Sequence, residues 1–291
     1  MDRKFSRVAL IGKLGSPEIA ASLSELTAFL EKRGCQVLVE KDTAAEIGAP
    51  GFDYAAIGAQ ANLAVVIGGD GTMLAAARNL VRHRVPMVGV NQGRVGFMTD
   101  IGHRDMQQGI GNILDGKFSI EDRAALDAEI MRGGESLLRT LALNEATIGK
   151  GSQGRLIEFD LSLDGEFVYT LRADGMIVAT PTGSTAYALS AQGPILHPTV
   201  PALALVPLAP HTLSARPVSV SDRCVIEIAL VRALDARAHF DGLALADLQE
   251  GDRLRLKRSA DVVRFVHPPG YNYFATLREK LGWSEALPKE Q

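Results

Sequence analysis

Hydrophobic and polar positions divide the chain into two regimes. It opens on the apolar run Val8-Ala9-Leu10-Ile11, long enough for a strand and too short for the core of a secretory leader. Over 17–33, Ile19, Leu23, Leu26 and Leu30 recur at spacings of four, three and four, with Gly34 just beyond. That spacing predicts an amphipathic helix with a glycine stop. Gln36-Val37-Leu38-Val39 reads as a second strand, and Leu63-Ala64-Val65-Val66-Ile67 as a third, unalternated as in a strand buried on both faces. A helix over 72–81, with Leu74, Ala77, Leu80 and Val81 inward, precedes a strand at Met87-Val88-Gly89-Val90. Strand and helix alternate, which predicts an open parallel α/β sheet.

From about Ala124 strand follows strand. Leu161-Ser162-Leu163, Asp164-Gly165 and Glu166-Phe167-Val168 form a hairpin signature, because Asp-Gly tolerates the positive φ of a tight turn. Further strands are predicted at 176–179, 202–206, 224–230, 236–240, 253–257 and 262–266. The expected class is therefore α/β plus all-β, an open parallel sheet domain over 1–122 followed by a β-sandwich-like domain over 123–270. Segment 271–291 can form a helix whose packing the periodicity does not assign.

Composition narrows the function classes. The 291 residues, 46% hydrophobic and 22% charged with 29 glycines and 13 prolines, exclude a disordered or collagen-like chain. A net charge of −3, from 31 basic against 34 acidic residues, argues against wholesale binding to nucleic acid or to an anionic membrane. An anionic ligand must then be held locally. The two cysteines, Cys35 and Cys224, have neither metal-like spacing nor a disulfide framework, so a reducing cytoplasm is expected. No apolar stretch approaches the ~20 residues that span a bilayer.

The sharpest chemical feature is Gly68-Gly69-Asp70-Gly71-Thr72, directly after a buried strand and before a helix. Glycines let the backbone approach a ligand, admit positive φ, and here precede a helix N-terminus whose N–H groups attract anions. Gly68, Gly69, Gly71 and Thr72 are thus candidates for cradling phosphates. Asp70 among them suggests phosphoryl transfer, since a carboxylate beside phosphates needs a proton to take, a hydroxyl to orient or a metal to hold. The competing reading makes Asp70 a helix N-cap. A second loop, Asn91-Gln92-Gly93-Arg94-Val95-Gly96-Phe97, also follows an apolar strand. Strand ends on one sheet edge converge, so the two loops are expected at one crevice.

In the β-rich half, Asn144-Glu145 can read a base edge and ribose hydroxyls together. Thr180-Pro181-Thr182-Gly183-Ser184-Thr185-Ala186-Tyr187-Ala188-Leu189-Ser190, shortly after Asp174-Gly175, crowds five hydroxyls and a tyrosine around a turn. Those hydroxyls can bind a nucleotide and Tyr187 can stack on its base; a Ser/Thr-rich helix cap is the alternative. No P-loop occurs, and no dinucleotide fingerprint Gly-x-Gly-x-x-Gly follows the first strand, where Gly12-Lys13-Leu14-Gly15 has the wrong spacing. His103-Arg104-Asp105 only imitates a protein-kinase catalytic loop, because Ile110 stands where a metal-binding Asn is required.

In order and spacing these four motifs resemble the bacterial NAD kinase family, from about Val8 to about Trp283. The Gly-Gly-Asp-Gly element is shared with lipid kinases of the diacylglycerol and sphingoid type. Asn144-Glu145 and the 180–187 segment separate this chain from them. The resemblance implies transfer of the γ-phosphoryl of ATP to the adenosine-ribose 2′-hydroxyl of NAD, with Mg²⁺ as the divalent ion. It makes Asp70 the proton acceptor, with Gly71 beside it and Phe97 near the adenine. Asn144, Glu145, Asp174, Thr185, Ala186, Tyr187 and Ser190 complete the NAD site. Arg155 and Arg172 match ligand-contacting positions supplied by a neighbouring subunit of a homodimer or homotetramer. It assigns no metal ligand. One departure is Leu243, after Asp241-Gly242, where relatives often carry Gln. A lipid kinase and a non-catalytic dinucleotide-binding regulator are the competing functions.

Overall fold

The computed structural model describes residues 5–13, 15–93, 96–152 and 154–283. Leu14, Arg94, Val95 and the last residues of the 271–291 segment lie outside them. The chain divides into two compact units, one comprising the residues up to Glu121 together with those from Arg264, the other Asp122–Val263.

The first unit is built on a parallel sheet. Its strands are β1 (Arg7–Gly12), β2 (Gln36–Glu40), β3 (Gly51–Phe52), β4 (Leu63–Ile67), β5 (Met87–Asn91) and β6 (Ile101–Gly102). Neighbours run in the order β3-β2-β1-β4-β5-β6, all parallel. Beside β5, Phe265 near the end of the strand Arg253–His267 pairs with Met87. Helix α1 (Pro17–Lys32) packs Ile19, Leu23, Leu26 and Leu30 into the core with Val8, Leu10, Val65 and Val88. Truncating Leu26, which is wholly buried, to Ala would cost roughly 2–5 kcal/mol. Three further helices, α2 (Lys41–Ile47), α3 (Tyr54–Gln60) and α5 (Met106–Leu114), flank the α4 helix (Asp70–Leu80) in sequence. The helix predicted over 72–81 thus starts two residues earlier, at Asp70.

The second unit holds two antiparallel sheets. In one, the hairpin Ile157–Leu163 and Glu166–Ala173 turns at Asp164 and Gly165, whose φ values are 52° and 85°. Ile226–Arg232 and then Arg253–His267 pair alongside it. The two strands predicted at 253–257 and 262–266 are this one continuous strand. The other sheet runs Val218–Ser221, Ala202–Leu208, Gly175–Ala179, Glu145–Lys150, Ala236–Phe240, Leu243–Leu248. Both sheets bury a face in one core, Phe159, Ile228 and Leu254 from the first meeting Ile148, Met176, Leu205 and Phe240 from the second. The opposite face of the second sheet packs Ile177, Ala204 and Val206 against Ala188 and Leu196. That cover fixes the short helix Tyr187–Ser190, which belongs to the hydroxyl-rich segment.

Candidate active site

In the first unit the chain order of the sheet reverses between β1 and β4, and ligands of open α/β sheets bind at such a point, beyond the strand C-termini. A cleft of about 530 Å³ lies there. It is lined by Gly12 and Lys13 after β1, by Gly69, Gly71 and Thr72 at the start of α4, and by Tyr54, Glu40 and Asp42. Burial, then Glu40 and Asp42, push the Tyr54 hydroxyl up to about 12, so it remains a protonated donor. Glu40 is turned to the protein, accepting from the N–H groups of Asp42 and Thr43 and from the Thr43 hydroxyl.

Gly69 is the N-cap of α4, and no side chain caps the helix. Its φ of −95° is ordinary, so the expected positive φ is not what requires glycine there. A Cβ added at Gly69 or Gly71 would meet no protein atom. The open space above the loop is therefore outside the protein's own packing, as a phosphate cradle requires.

Asp70 is the first residue of α4, and the helix-cap reading fails. Its carboxylate turns to the second glycine loop, where Oδ2 accepts from the Phe97 N–H at 2.9 Å and Oδ1 from the Met98 N–H at 3.0 Å. Gly96 lies so close that a Cβ would overlap this carboxylate. The two loops predicted at one crevice do meet, through Asp70. Phe97 contributes its backbone N–H to this contact.

In the second unit, Glu145, Asp174 and Tyr187 line a cleft of about 540 Å³ together with Thr147, Lys150, His239 and Gly242. Asn144 Oδ1 and Glu145 Oε2 are buried without a hydrogen-bond partner. Most buried polar atoms in folded proteins are satisfied, which makes this adjacent pair a candidate ligand contact. Burial, then the Asp241 carboxylate, push the Glu145 carboxyl up to about 7. Lys150 Nζ stands 2.7 Å from Asp174 Oδ1. Burial and Arg237 lower the His239 imidazole below its ordinary value, favouring the neutral ring.

Backbone contacts join this cleft to the hydroxyl-rich turn. The Thr180 hydroxyl donates to the Leu143 carbonyl at 2.6 Å, and the Thr180 N–H to the Asn144 carbonyl at 2.9 Å. A Cβ at Gly183 would overlap the Asn144 backbone, so glycine permits this approach. Several of the hydroxyls in this turn bond within the protein. Thr180 and Ser184 are wholly buried, and Ser184 donates to the Pro181 carbonyl and accepts from the Leu196 N–H. The Thr185 hydroxyl donates to the Thr182 carbonyl. Ala186 leads into the short helix, Tyr187 is half exposed, and Ser190 lines an adjoining hollow with Gln192 and Pro207. Arg155 and Arg172 are exposed, Arg172 lying 3.7 Å from Glu158. Leu243 is also exposed, at the start of its strand.

Sequence reasoning missed Asp241, Lys150 and His239. Asp241 occupies φ 50° in the Asp241-Gly242 turn, and its carboxylate accepts from the N–H groups of Leu143, Asn144 and Glu145. Asp-Gly between two apolar strands was the available signal. Among the described residues, no cluster of three or more His, Cys, Asp or Glu can hold a metal, and no helix is long and apolar enough to cross a membrane.

A glycine loop open at Gly69 and Gly71, at a parallel-sheet switch point and beside a carboxylate fixed by two backbone N–H groups, defines a nucleotide-binding α/β protein equipped for group transfer. Residues 8–118 match the ATP-NAD kinase N-terminal domain and residues 143–268 the ATP-NAD kinase C-terminal domain. The chain is 59% identical to an NAD kinase of Aromatoleum aromaticum, covering 99% of this chain and 97% of the relative. It is 57% identical to an NAD kinase of an Azoarcus species, covering 99% of each. A yeast NADH kinase structure complexed with NADH superimposes with a TM-score of 0.91 at 25% identity, covering 100% of this chain and 94% of that one. An Archaeoglobus fulgidus NAD kinase structure in complex with ATP shares the fold, with a TM-score of 0.74 at 24% identity over 95% of this chain and 98% of that one. The chain belongs to the ATP-NAD kinase family.

Proposed function

We propose that this chain transfers the γ-phosphoryl group of ATP to the 2′-hydroxyl of the adenosine ribose of NAD, giving NADP and ADP. The observation that carries the reading is the Asp70 carboxylate, fixed by the Phe97 and Met98 N–H groups beside glycines whose outward space is open. In the step, the 2′-oxygen bonds to the γ-phosphorus, the bond from that phosphorus to the β,γ-bridging oxygen breaks, and the hydroxyl proton passes to Asp70. ADP leaves with the bridging oxygen. Positioning and charge neutralisation account for most of such a transfer.

Gly68, Gly69, Gly71 and Thr72 cradle the phosphates of ATP at the α4 N-terminus, and Lys13 in the same cleft adds positive charge. Asn144 and Glu145 hold the ribose and base of NAD through their buried, unpartnered oxygens, with Asp174, Thr185, Ala186, Tyr187 and Ser190 completing the site and Phe97 near the adenine. The described side chains offer no three-ligand cage for Mg²⁺. They fit an ion that arrives on the triphosphate and keeps much of its water, where it neutralises phosphate charge. Arg155 and Arg172 contact the ligand from a neighbouring protomer of a homodimer or homotetramer, and the enzyme works in the cytoplasm.

Purified protein supplied with ATP, Mg²⁺ and either NAD or a sphingoid base tests the reading. NADP formed in the first mixture, with no phosphorylated base in the second, supports it, and the absence of NADP from the first ends it. Light scattering that finds an active monomer at low concentration would reject shared sites.

A further inference from the structure

We propose that His267 is a positioning residue for Asp70, acting through the segment 96–100. The inference rests on the reading of Asp70 as the proton acceptor. The carboxylate of Asp70 is oriented by the N–H groups of Phe97 and Met98, so its aim depends on where those two peptides are held. They belong to neither a helix nor a strand; β6 begins only at Ile101. Side chains must therefore hold the segment.

At one end Gly96 is held by the wholly buried Thr99, whose Oγ1 accepts from the Gly96 N–H at 2.7 Å and from Asn91 Nδ2 at 3.1 Å. At the other end Asp100 Oδ2 lies 2.6 Å from His267 Nδ1. The His267 ring is 2% exposed. It is stacked on Tyr271 at 3.7 Å and 8°, and its Nε2 stands 3.7 Å from Glu121 Oε1. Two residues before it, Phe265 is paired to Met87 in the sheet. The imidazole is thus a rigid post on the sheet edge, and the chain two residues beyond Met98 is tied to it. A short hydrogen bond to a carboxylate in a water-poor setting is among the stronger polar contacts. Releasing it frees the peptides that aim Asp70.

His267 makes no contact with Asp70, so its loss should misplace the base without removing it. Misplacement by about 1 Å can lower the rate up to roughly 10²-fold. The test separates the hydrogen bond from mere packing. His267→Phe keeps the aromatic stack on Tyr271 and removes the donor; His267→Asn removes the stack and keeps a donor near Nδ1. We expect His267→Phe to lower kcat about tenfold with the KM for NAD and ATP within about threefold, and His267→Asn to recover most of that loss. In an Asp70→Asn background, His267→Phe should add less than about twofold, since the group it positions is gone. Asp100→Ala removes the same hydrogen bond from the other side and carries the test if the buried Phe prevents folding. Unchanged kcat in His267→Phe or Asp100→Ala overturns the proposal. So does His267→Asn falling as far as His267→Phe, or a full additional loss on top of Asp70→Asn. Failure of the Asp70 reading shows separately, as normal turnover in Asp70→Asn alone.

Discussion

Asp241 Oδ1 accepts the backbone N–H of Asn144 at 2.7 Å across 97 residues of sequence, and the same carboxylate opposes ionisation of the adjoining Glu145. Burial is the larger cause, and together they push the Glu145 carboxyl to about 7. A carboxyl that titrates higher in the folded than in the unfolded chain, where about 4.3 is usual, favours folding while protonated. That contribution is whole below about pH 4 and is lost as pH rises through about 7. The ligand-free protein should lose thermal stability between pH 5 and 8, and Glu145→Gln should flatten the curve, leaving the variant the more stable at pH 8. Parallel melting curves for parent and variant would refute this.

Asp241→Ala should act twice. It leaves three N–H groups, on Leu143, Asn144 and Glu145, without their shared acceptor, costing about 1–3 kcal/mol if they stay buried. It also removes a negative neighbour of Glu145, so the stability loss with rising pH should shift to lower pH. Denaturant unfolding at several pH values reads both effects, and an unshifted midpoint would remove Asp241 from the account of Glu145.

Gly69→Val should fold and bind ATP poorly. The backbone there has φ −95° and open surroundings, so the fold should lose only about 1 kcal/mol from a poorer N-cap. The branched side chain would occupy the space the phosphates require. We expect the KM for ATP to rise about tenfold, equivalent to ~1.4 kcal/mol, while the dissociation constant for NAD is kept. An unchanged KM in folded protein would count against the cradle.

Asp70→Asn should lower kcat by roughly 10²–10⁴, the usual worth of a general base, with NAD affinity within about tenfold. The structure adds a cost absent from the helix-cap reading. An amide cannot accept from both the Phe97 and Met98 N–H groups without turning its own NH₂ toward one of them, so a stability loss of about 1–3 kcal/mol should accompany the rate loss. Stopped turnover with retained NAD binding supports the assignment, and near-normal turnover ends it.

The parts legible in the sequence are those in which adjacent residues do one job. β4, the glycine loop and α4 were readable because five consecutive residues of β4 are buried and the loop follows without a break. α2 and α3 escaped because they bury only Thr43 and Ala44, and Ile57, too few to leave a stripe. Arg253–His267 looked like two strands because Arg258, Ser259 and Asp261 interrupt its apolar positions; Ser259 is nonetheless buried. Asn144 and Glu145 stand out by their chemistry, but the carboxylate that holds their backbone comes from a turn far along the chain. The pairing of Asp70 with Phe97 and Met98 is likewise a long-range contact, invisible to spacing. In the hydroxyl-rich turn, residue type could not distinguish Ser184, which serves the fold, from side chains left for a ligand.

The second unit, Asp122–Val263, is one continuous stretch, whereas the first needs residues from both sides of it. In evolutionary terms the β-rich unit has the form of an insertion into an α/β host, spliced where the host chain could be interrupted. During synthesis the inserted unit is complete before its host: when Val263 leaves the ribosome, the strand end carrying Phe265 and the imidazole of His267 have yet to follow. Domains fold as units, so the α/β host can complete its sheet only once Phe265 and His267 have followed the inserted unit out, although Asp70, Phe97 and Met98 were all made before it.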